Sequence, residues 1–219
     1  MRYERKFIIK IFDLYFLNQK IKLSRHNFSK KYEDRYVNNI YFDTKNMSSL
    51  KDNIEGNFFR EKIRVRWYGD FLGPTKQPKL EFKIKKGLMG YKKQYILNSF
   101  DLNESVNFSN YLKEYFDENN LINYNYTFSP SVVNSYRREY FQSYRNDYRI
   151  TIDHNVSYYN LRNKSRPRLD YTNNENIIVE LKYTKEDKNI KDLTNYLRLR
   201  LNKNSKYVNG FKIRLNRSI

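Results

Sequence analysis

The sequence predicts an α+β fold, an antiparallel β-barrel of about eight strands with a few peripheral helices. Three observations lead there. Short segments alternate charged with apolar or aromatic residues, as in Ile63–Trp67, Leu80–Lys85, Tyr136–Tyr140, Arg149–Asp153 and Val179–Tyr183. Stretches rich in Gly, Pro and Asp separate several of them. Only a few short stretches carry a helical period. Successive strand residues point to opposite faces, so each charged segment gathers its charges on one face. An ordinary half-buried strand turns that face to water. In a closed barrel the same faces line a charged lumen. Mostly cationic side chains with a few carboxylates suit a polyanion together with a divalent metal.

The elements follow in order. Residues 3–12 read as a strand running into a short helix near Asp13–Gln19. Tyr36–Phe42 is a strand, and Asp43-Thr44 supplies cap residues for a short helix carrying Met47 and Leu50. Phe58–Tyr68 is a long strand. Gly69–Pro78 is a turn. Lys79–Lys85 and Tyr91–Leu97 make a hairpin across the tight connection Gly87–Gly90. Ser105–Phe116 places Phe108, Leu112, Tyr115 and Phe116 at helical spacing, with Ser105 as the cap. Pro130 introduces a strand pair, Val132–Tyr144 and Tyr148–Val156. Arg162–Arg168 is a charged loop and Asn176–Thr184 a strand. Lys188–Leu201 is an amphipathic helix built on Ile190, Leu193, Leu197 and Leu201. Ser205-Lys206-Tyr207 follows as a tail. No repeat or linker divides the sequence, so residues 1–219 are expected to form one domain.

The formal net charge is +19 and the pI about 9.8. Such a balance calls for an anionic partner: nucleic acid, an acidic membrane surface or a phosphate-rich molecule. A bias toward Asn, Lys, Tyr and Ile accounts for part of the lysine excess, but not for arginine at alternate positions. The absence of cysteine excludes disulfides, thiolate metal sites and a cysteine nucleophile. The charged N-terminus and the lack of a long apolar run lead to the expectation of a cytoplasmic protein. No helix-turn-helix pattern, zinc site or aromatic RNA-binding motif is present, so no specific nucleic-acid partner is expected. A Walker-type glycine-rich loop is also missing, which disfavours a P-loop ATPase.

Ile63-Arg64-Val65-Arg66-Trp67-Tyr68-Gly69 resembles the signature strand of VTC domains, the polyphosphate polymerase branch of the CYTH-like triphosphate tunnel metalloenzymes. Other pieces fall in the family's order: Tyr3-Glu4-Arg5-Lys6-Phe7, Ile40–Thr44, Leu80–Lys83, Tyr136-x-Arg138, Arg149-x-Thr151-x-Asp153, Val179–Lys182 and Ser205–Tyr207. The resemblance covers nearly the whole chain. It implies an eight-stranded tunnel that binds a nucleoside triphosphate or polyphosphate. It places Arg64, Arg66, Lys83, Arg138 and Lys206 in catalytic positions. Lys6, Lys93, Arg149, Lys182, Ser205 and Tyr136 then contact substrate. Glu180 carries the metal, Mn²⁺ or Mg²⁺, with Glu4 and Asp153 as second ligands or as orienters of the basic residues. In the alternating pair Arg137-Arg138, a one-residue slip would exchange the inward residue. Hydrolytic relatives begin E-x-E-x-K, whereas this chain has Arg2, Glu4 and Lys6. One carboxylate fewer favours a long polyphosphate over a small hydrolysed triphosphate.

Guanidinium groups grip phosphate oxygens bidentately, and lysine acts as a point charge. Phosphoryl transfer needs positioning and charge stabilisation more than covalent chemistry. The end of a phosphate chain is already anionic and attacks without a strong base, and neither His26 nor His154 lies in the motifs. The expected reaction moves the γ-phosphate of ATP onto a growing polyphosphate or a pyrophosphate primer and releases ADP. The alternatives are a triphosphate hydrolase, acting on tripolyphosphate or thiamine triphosphate, and a non-catalytic module that binds polyphosphate or inositol polyphosphate. A membrane protein that receives the polymer would be a separate partner, with this chain peripheral to the membrane.

Overall fold

The computed structural model describes residues 3–87, 89–104, 106–120, 128–161, 167–183 and 190–216. The strands are β1 (Tyr3–Lys10), β2 (Ser29–Thr44), β3 (Phe59–Tyr68), β4 (Lys79–Lys86), β5 (Met89–Ile96), β6 (Phe128–Gln142), β7 (Tyr148–Asn160), β8 (Arg168–Asn173) and β9 (Asn176–Tyr183). The helices are α1 (Leu14–Lys22), α2 (Ser48–Glu55), α3 (Phe108–Glu118), α4 (Ile190–Tyr196) and α5 (Lys206–Leu215). The strand order is β1-β9-β7-β6-β2-β3-β4-β5, with β8 on β7. The pairs β1–β9, β7–β9, β2–β3, β3–β4 and β4–β5 are antiparallel. The expected antiparallel α+β class is therefore the observed one.

The chain divides into two compact units. The first comprises Met1–Arg35, Tyr136–Val156 and Thr172–Ser205. Its core is Phe7, Ile150, Ile152, Ile177, Val179 and Leu181 from the strands, with Leu17, Ile21, Leu193 and Leu197 packed beside them. The second comprises Tyr36–Ser135, Ser157–Tyr171 and Lys206–Ile219. Here Ile40, Phe42, Ile63, Val65, Trp67, Leu80 and Phe82 meet Phe108, Leu112 and Phe116 of α3. The period-two alternation is clearest in β3 and β4, where Ile63, Val65, Trp67, Leu80 and Phe82 enter the apolar core and Arg64, Arg66, Glu81 and Lys83 occupy the other face.

Local differences from expectation have identifiable causes. Strand β2 begins at Ser29 rather than near Tyr36, through an exposed polar stretch that a burial pattern does not mark. Asp43 and Thr44 do serve α2, from a distance: Asp43 accepts from the amides of Ser49 (3.0 Å) and Leu50 (3.0 Å), and Thr44 Oγ1 from Ser48 (3.2 Å). The residue immediately before the helix is Met47, in the left-handed region at φ 54°. The cap of α3 is Asn107, which accepts from the Asn110 amide; Ser105 lies outside the described residues. Gly90 belongs to β5, not to the connection. Arg168 opens β8, while residues 162–166 of the expected charged loop lie outside the described residues.

Helix α4 stops at Tyr196 because Arg198 takes φ 54°. Leu197 and Leu199 still reach the core from irregular chain. The expected tail at Lys206 is instead the start of α5. Gly210 lies in its middle, and a Cβ there would stand 2.7 Å from the Tyr158 ring. The residue that breaks the helical pattern in the sequence is what lets the helix pack this closely.

Candidate active site

Two charged clusters contain nearly all the expected site residues, one in each unit.

In the second unit, the non-core face of β3, β4 and β5 is laid out in rows by strand register. Arg66 stands opposite Lys79, Arg64 opposite Glu81, Lys62 opposite Lys83, and Arg60 opposite Lys85. Across the next ladder Glu81 faces Gln94 and Lys83 faces Lys92. On the other side β2 places Tyr41 against Arg64 and Asn39 against Arg66. Cations thus occupy every row, and Glu81 is the only carboxylate in them. Lys62, Lys83 and Lys92 form a row of like charges, an arrangement suited to an anionic ligand.

Glu81 is 1% exposed and holds this face together. Arg64 donates to its Oε2 through Nε (2.8 Å) and Nη2 (2.6 Å). Lys92 Nζ (3.2 Å) and Gln94 Nε2 (2.6 Å) donate to Oε1. Arg66 Nη1 is 3.9 Å away. Burial alone would raise the Glu81 pKa, but Arg64, Arg66 and Lys92 hold it well below the usual carboxylate range. The Lys92 ammonium is pushed down, first by burial and then by the two arginines, against the pull of Glu81.

The guanidinium groups are also fixed from behind. Arg66 Nε donates to Asn39 Oδ1 (2.8 Å), and Asn39 Nδ2 in turn donates to Asn134 (2.8 Å). Arg64 donates to the Tyr41 hydroxyl (3.1 Å) and lies 5.7 Å from that ring. Tyr41 stacks on Tyr207 at 5.2 Å, and the Tyr207 hydroxyl donates to Asp43. Burial and the Asp43 carboxylate raise the Tyr207 pKa far above the ordinary phenol value, so it stays a donor. Lys206, beside it, is buried at the first position of α5.

In the first unit the rows mix both signs. Glu4 stands opposite Lys182, which stands opposite Arg149; Lys6 stands opposite Glu180, which stands opposite Thr151. Lys6 Nζ is 3.4 Å from Glu4 and 3.2 Å from Glu180. Lys182 Nζ is 3.2 Å from Glu180 and 4.0 Å from Glu4. Arg138 is buried and clamps Asp153 with Nε (2.5 Å) and Nη2 (2.6 Å), while Nη2 lies 3.8 Å from Glu180. Burial opposes the Arg138 charge, but Asp153 outweighs it and raises the pKa further. The guanidinium sits 5.2 Å from the Tyr136 ring and 5.9 Å from Tyr140. Arg149 donates to Gln142 (3.2 Å).

The structure gathers most of the expected residues into these two clusters. Arg64, Arg66 and Lys83 share the cationic face; Glu4, Lys6, Arg138, Asp153, Glu180, Lys182 and Tyr136 share the mixed cluster. Arg138, not Arg137, is the inward member of its pair, because Arg137 is exposed and reaches Asp34 at 3.4 Å. Lys93 is the exception. It stands opposite Phe82, on the apolar face, and Lys92 occupies the charged one; a one-residue slip separates them. Ser205 belongs to the first unit and lies just before α5. His26 and His154 stand apart from the charged rows: His26 packs edge-on against Tyr148 (4.8 Å) and His154 lies 3.6 Å from Glu139. Arg2 is outside the described residues.

Lys62, Lys92, Asn39 and Tyr41 were not singled out by the sequence. The signal for the last two was present in Asn39-x-Tyr41, the same alternation read elsewhere.

The carboxylates differ in what they can hold. Both oxygens of Asp153 take Arg138, and the residue is 0% exposed; its geometry is that of an orienter. Glu4 and Glu180 share the ammonium of Lys6, so their oxygens converge. Among the described residues no group of three or more Asp, Glu, His or Cys side chains could hold a metal. A pair of carboxylates completed by phosphate oxygens and water is a donor set suited to Mg²⁺ or Mn²⁺, and Glu4 with Glu180 fits it.

The family model for the VTC domain matches residues 1–214. This chain belongs to the VTC domain family. Among solved structures it is similar to the putative adenylyl cyclase HpAC1 of Hippeastrum, described as having a dominant triphosphatase activity (12% identity, 97% of this chain and 95% of that one, TM-score 0.56). It is also similar to a putative adenylate cyclase of Bacillus halodurans (13% identity, 96% and 97% coverage, TM-score 0.53). The PH1819 protein of Pyrococcus horikoshii matches over 100% of both chains at 13% identity and a TM-score of 0.52. No curated protein matches the sequence. At these identities the structural matches show a shared fold and nothing more. No helix among the described residues is long and apolar enough to cross a membrane.

Proposed function

We propose that this VTC domain is an ATP-dependent polyphosphate polymerase, moving the γ-phosphate of ATP to the end of a growing phosphate chain and releasing ADP. The observation that carries the reading is the cationic face of β3–β5, where every row described above bears a cation and Glu81 is the one carboxylate in those rows. Such a face neutralises several phosphates at once. Arg64 and Arg66, held rigid by Glu81, Tyr41 and Asn39, bind and orient phosphate oxygens with little reorganisation. Lys83, Lys62 and Lys92 add charge along the chain. Tyr207 and Lys206 complete this set from α5.

In the first unit Arg138, oriented by Asp153, is a further phosphate ligand, together with Lys6, Lys182 and Arg149. Glu4 and Glu180 would hold a Mn²⁺ or Mg²⁺ ion, which when bound neutralises charge on phosphate oxygens. Lys6 and Lys182 already supply positive charge at those carboxylates and keep them oriented. Neither His26 nor His154 stands among the charged rows, so the nucleophile is best supplied already ionised, as a phosphate chain end is.

A triphosphatase on the same residues is the second reading. It is favoured by the activity described for the Hippeastrum relative, and it requires an ordered water where the polymerase needs a phosphate end. Incubation with ATP and Mn²⁺, with and without pyrophosphate, followed by a gel stained for polyphosphate, separates the two. A polymer ladder, lost in Arg64→Ala and Glu180→Ala, is the expected result. Phosphate released from tripolyphosphate without polymer would overturn it in favour of the hydrolase. Tight polyphosphate binding without turnover would leave a binding module.

A further inference from the structure

Helix α1 is apolar on two opposite sides. Its inward side, Leu17 and Ile21 with Leu14 beside them, packs into the core of the first unit. Its outward side should be polar in an ordinary surface helix. Instead Tyr15 is 68% and Phe16 66% exposed, and the stripe continues through Phe12 (72%) in the preceding turn and Leu23 (77%) at the C-terminal cap. Phe12, Tyr15 and Phe16 follow the three- and four-residue steps of one helical side, and Leu23 returns to that side seven residues after Phe16, past Gln19. Tyr15 and Phe16 lie edge to face, 5.8 Å apart, so the aromatic surface is continuous.

Cations flank the stripe. Lys20 and Lys22 fall on its two sides, with Lys10 before it and Arg25 after it, the last two beside the exposed acids Glu175 (3.6 Å) and Asp192 (3.9 Å). Lys20 donates to the Tyr196 carbonyl (2.9 Å), lies 5.8 Å from the Tyr196 ring and has its pKa lowered, first by burial and then by Arg198, which brings another cation to this rim. The only acid on the helix or its leading turn is Asp13.

An exposed aromatic stripe with a basic rim has the composition of a helix that lies in a lipid headgroup layer. A protein partner would need an acidic collar around an apolar groove, whereas an anionic bilayer offers both surfaces in one plane. We propose that the outward side of α1 seats this chain on an anionic lipid surface, with Phe12, Tyr15, Phe16 and Leu23 entering the headgroup boundary and Lys20, Lys22 and Arg25 pairing with lipid phosphates.

The test is flotation of the full chain with vesicles of phosphatidylcholine alone and of phosphatidylcholine mixed with phosphatidylglycerol. Binding is expected to the mixed vesicles only. The double substitution Phe12→Ser, Phe16→Ser should weaken partitioning roughly a hundredfold, about tenfold for each buried ring. Circular dichroism and tripolyphosphate binding should match the wild type. In the variant Phe16→Trp the added indole fluorescence should shift to shorter wavelength on mixed vesicles. Equal flotation of the double variant would assign the attraction to net charge and overturn the proposal. So would absence of flotation, an unshifted indole signal in Phe16→Trp, or a concentration-dependent dimer that the double variant abolishes.

Discussion

Replacing Glu81 by glutamine tests the origin of order in the cationic face. The side chain keeps its size and loses its charge. Its oxygens receive Arg64 at 2.6 and 2.8 Å, Gln94 at 2.6 Å and Lys92 at 3.2 Å, with Arg66 at 3.9 Å. Removing one partner from a fully buried ion pair costs about 3–5 kcal/mol. Water softens that cost here, because the Arg64 and Lys92 side chains are 13% and 42% exposed. We expect a loss of about 2–3 kcal/mol at neutral pH. The assay is urea unfolding, since guanidinium would screen the charges being measured.

Two further signs follow for the same variant. The folded Glu81 pKa lies below its unfolded value. Its stabilisation is therefore present above about pH 4.3 and lost as pH falls through the lower folded value. The gap between wild type and variant should close on acidification. Tripolyphosphate, which supplies the missing negative charge, should stabilise the variant more than the wild type at equal concentration; a protein held at a hundred times its own Kd gains about 2.7 kcal/mol. A variant within about 0.5 kcal/mol of wild type, with the same acid profile, would refute Glu81 as the counter-ion of this face.

In Asp153→Asn, Arg138 stays buried with its clamp broken, and unfolding free energy should fall by about 3 kcal/mol; chemical denaturation reads this directly. Gly210→Ala would drive a methyl group into Val132 and the Tyr158 ring. Its gain in helix propensity, about 1 kcal/mol, should be outweighed by overpacking of about 1–3 kcal/mol, with a lower Tm as the result. Burial, aided by Arg137, lowers the His154 pKa. Its contribution to stability is thus full above about pH 6.5 and lost as pH falls through the folded value. His154→Gln should flatten the unfolding free energy between pH 7 and 5, checked by urea titrations across that range.

The charged strands were legible because the period of two survives any uncertainty about their ends. Arg64, Arg66, Glu81 and Lys83 share a face whether β3 starts at Phe58 or Phe59. What failed was register within a basic run. Lys92 and Lys93 are chemically alike, and only pairing with Glu81 or Phe82 tells them apart. Pairing also assembled the row Lys62-Lys83-Lys92 from three separate stretches of sequence. Helix α5 begins where the sequence was read as a tail, and Gly210 in its middle is what its close packing against Val132 requires. Helix α4 was overextended because Leu197 keeps the helical spacing and is buried without being helical, while Leu201, counted on the same face, is 70% exposed. The role of Asp153 as a clamp on Arg138 depends on side-chain geometry that no spacing rule contains.

The fate of the γ-phosphate is the most direct test of the proposed reaction. ATP labelled at that position, supplied with Mn²⁺ and a pyrophosphate primer, should transfer its label into chains while ADP appears in equal amount. Neither Arg64→Ala nor Glu180→Ala should support the transfer. Label recovered as free phosphate, with no chain carrying it, would contradict a polymerase.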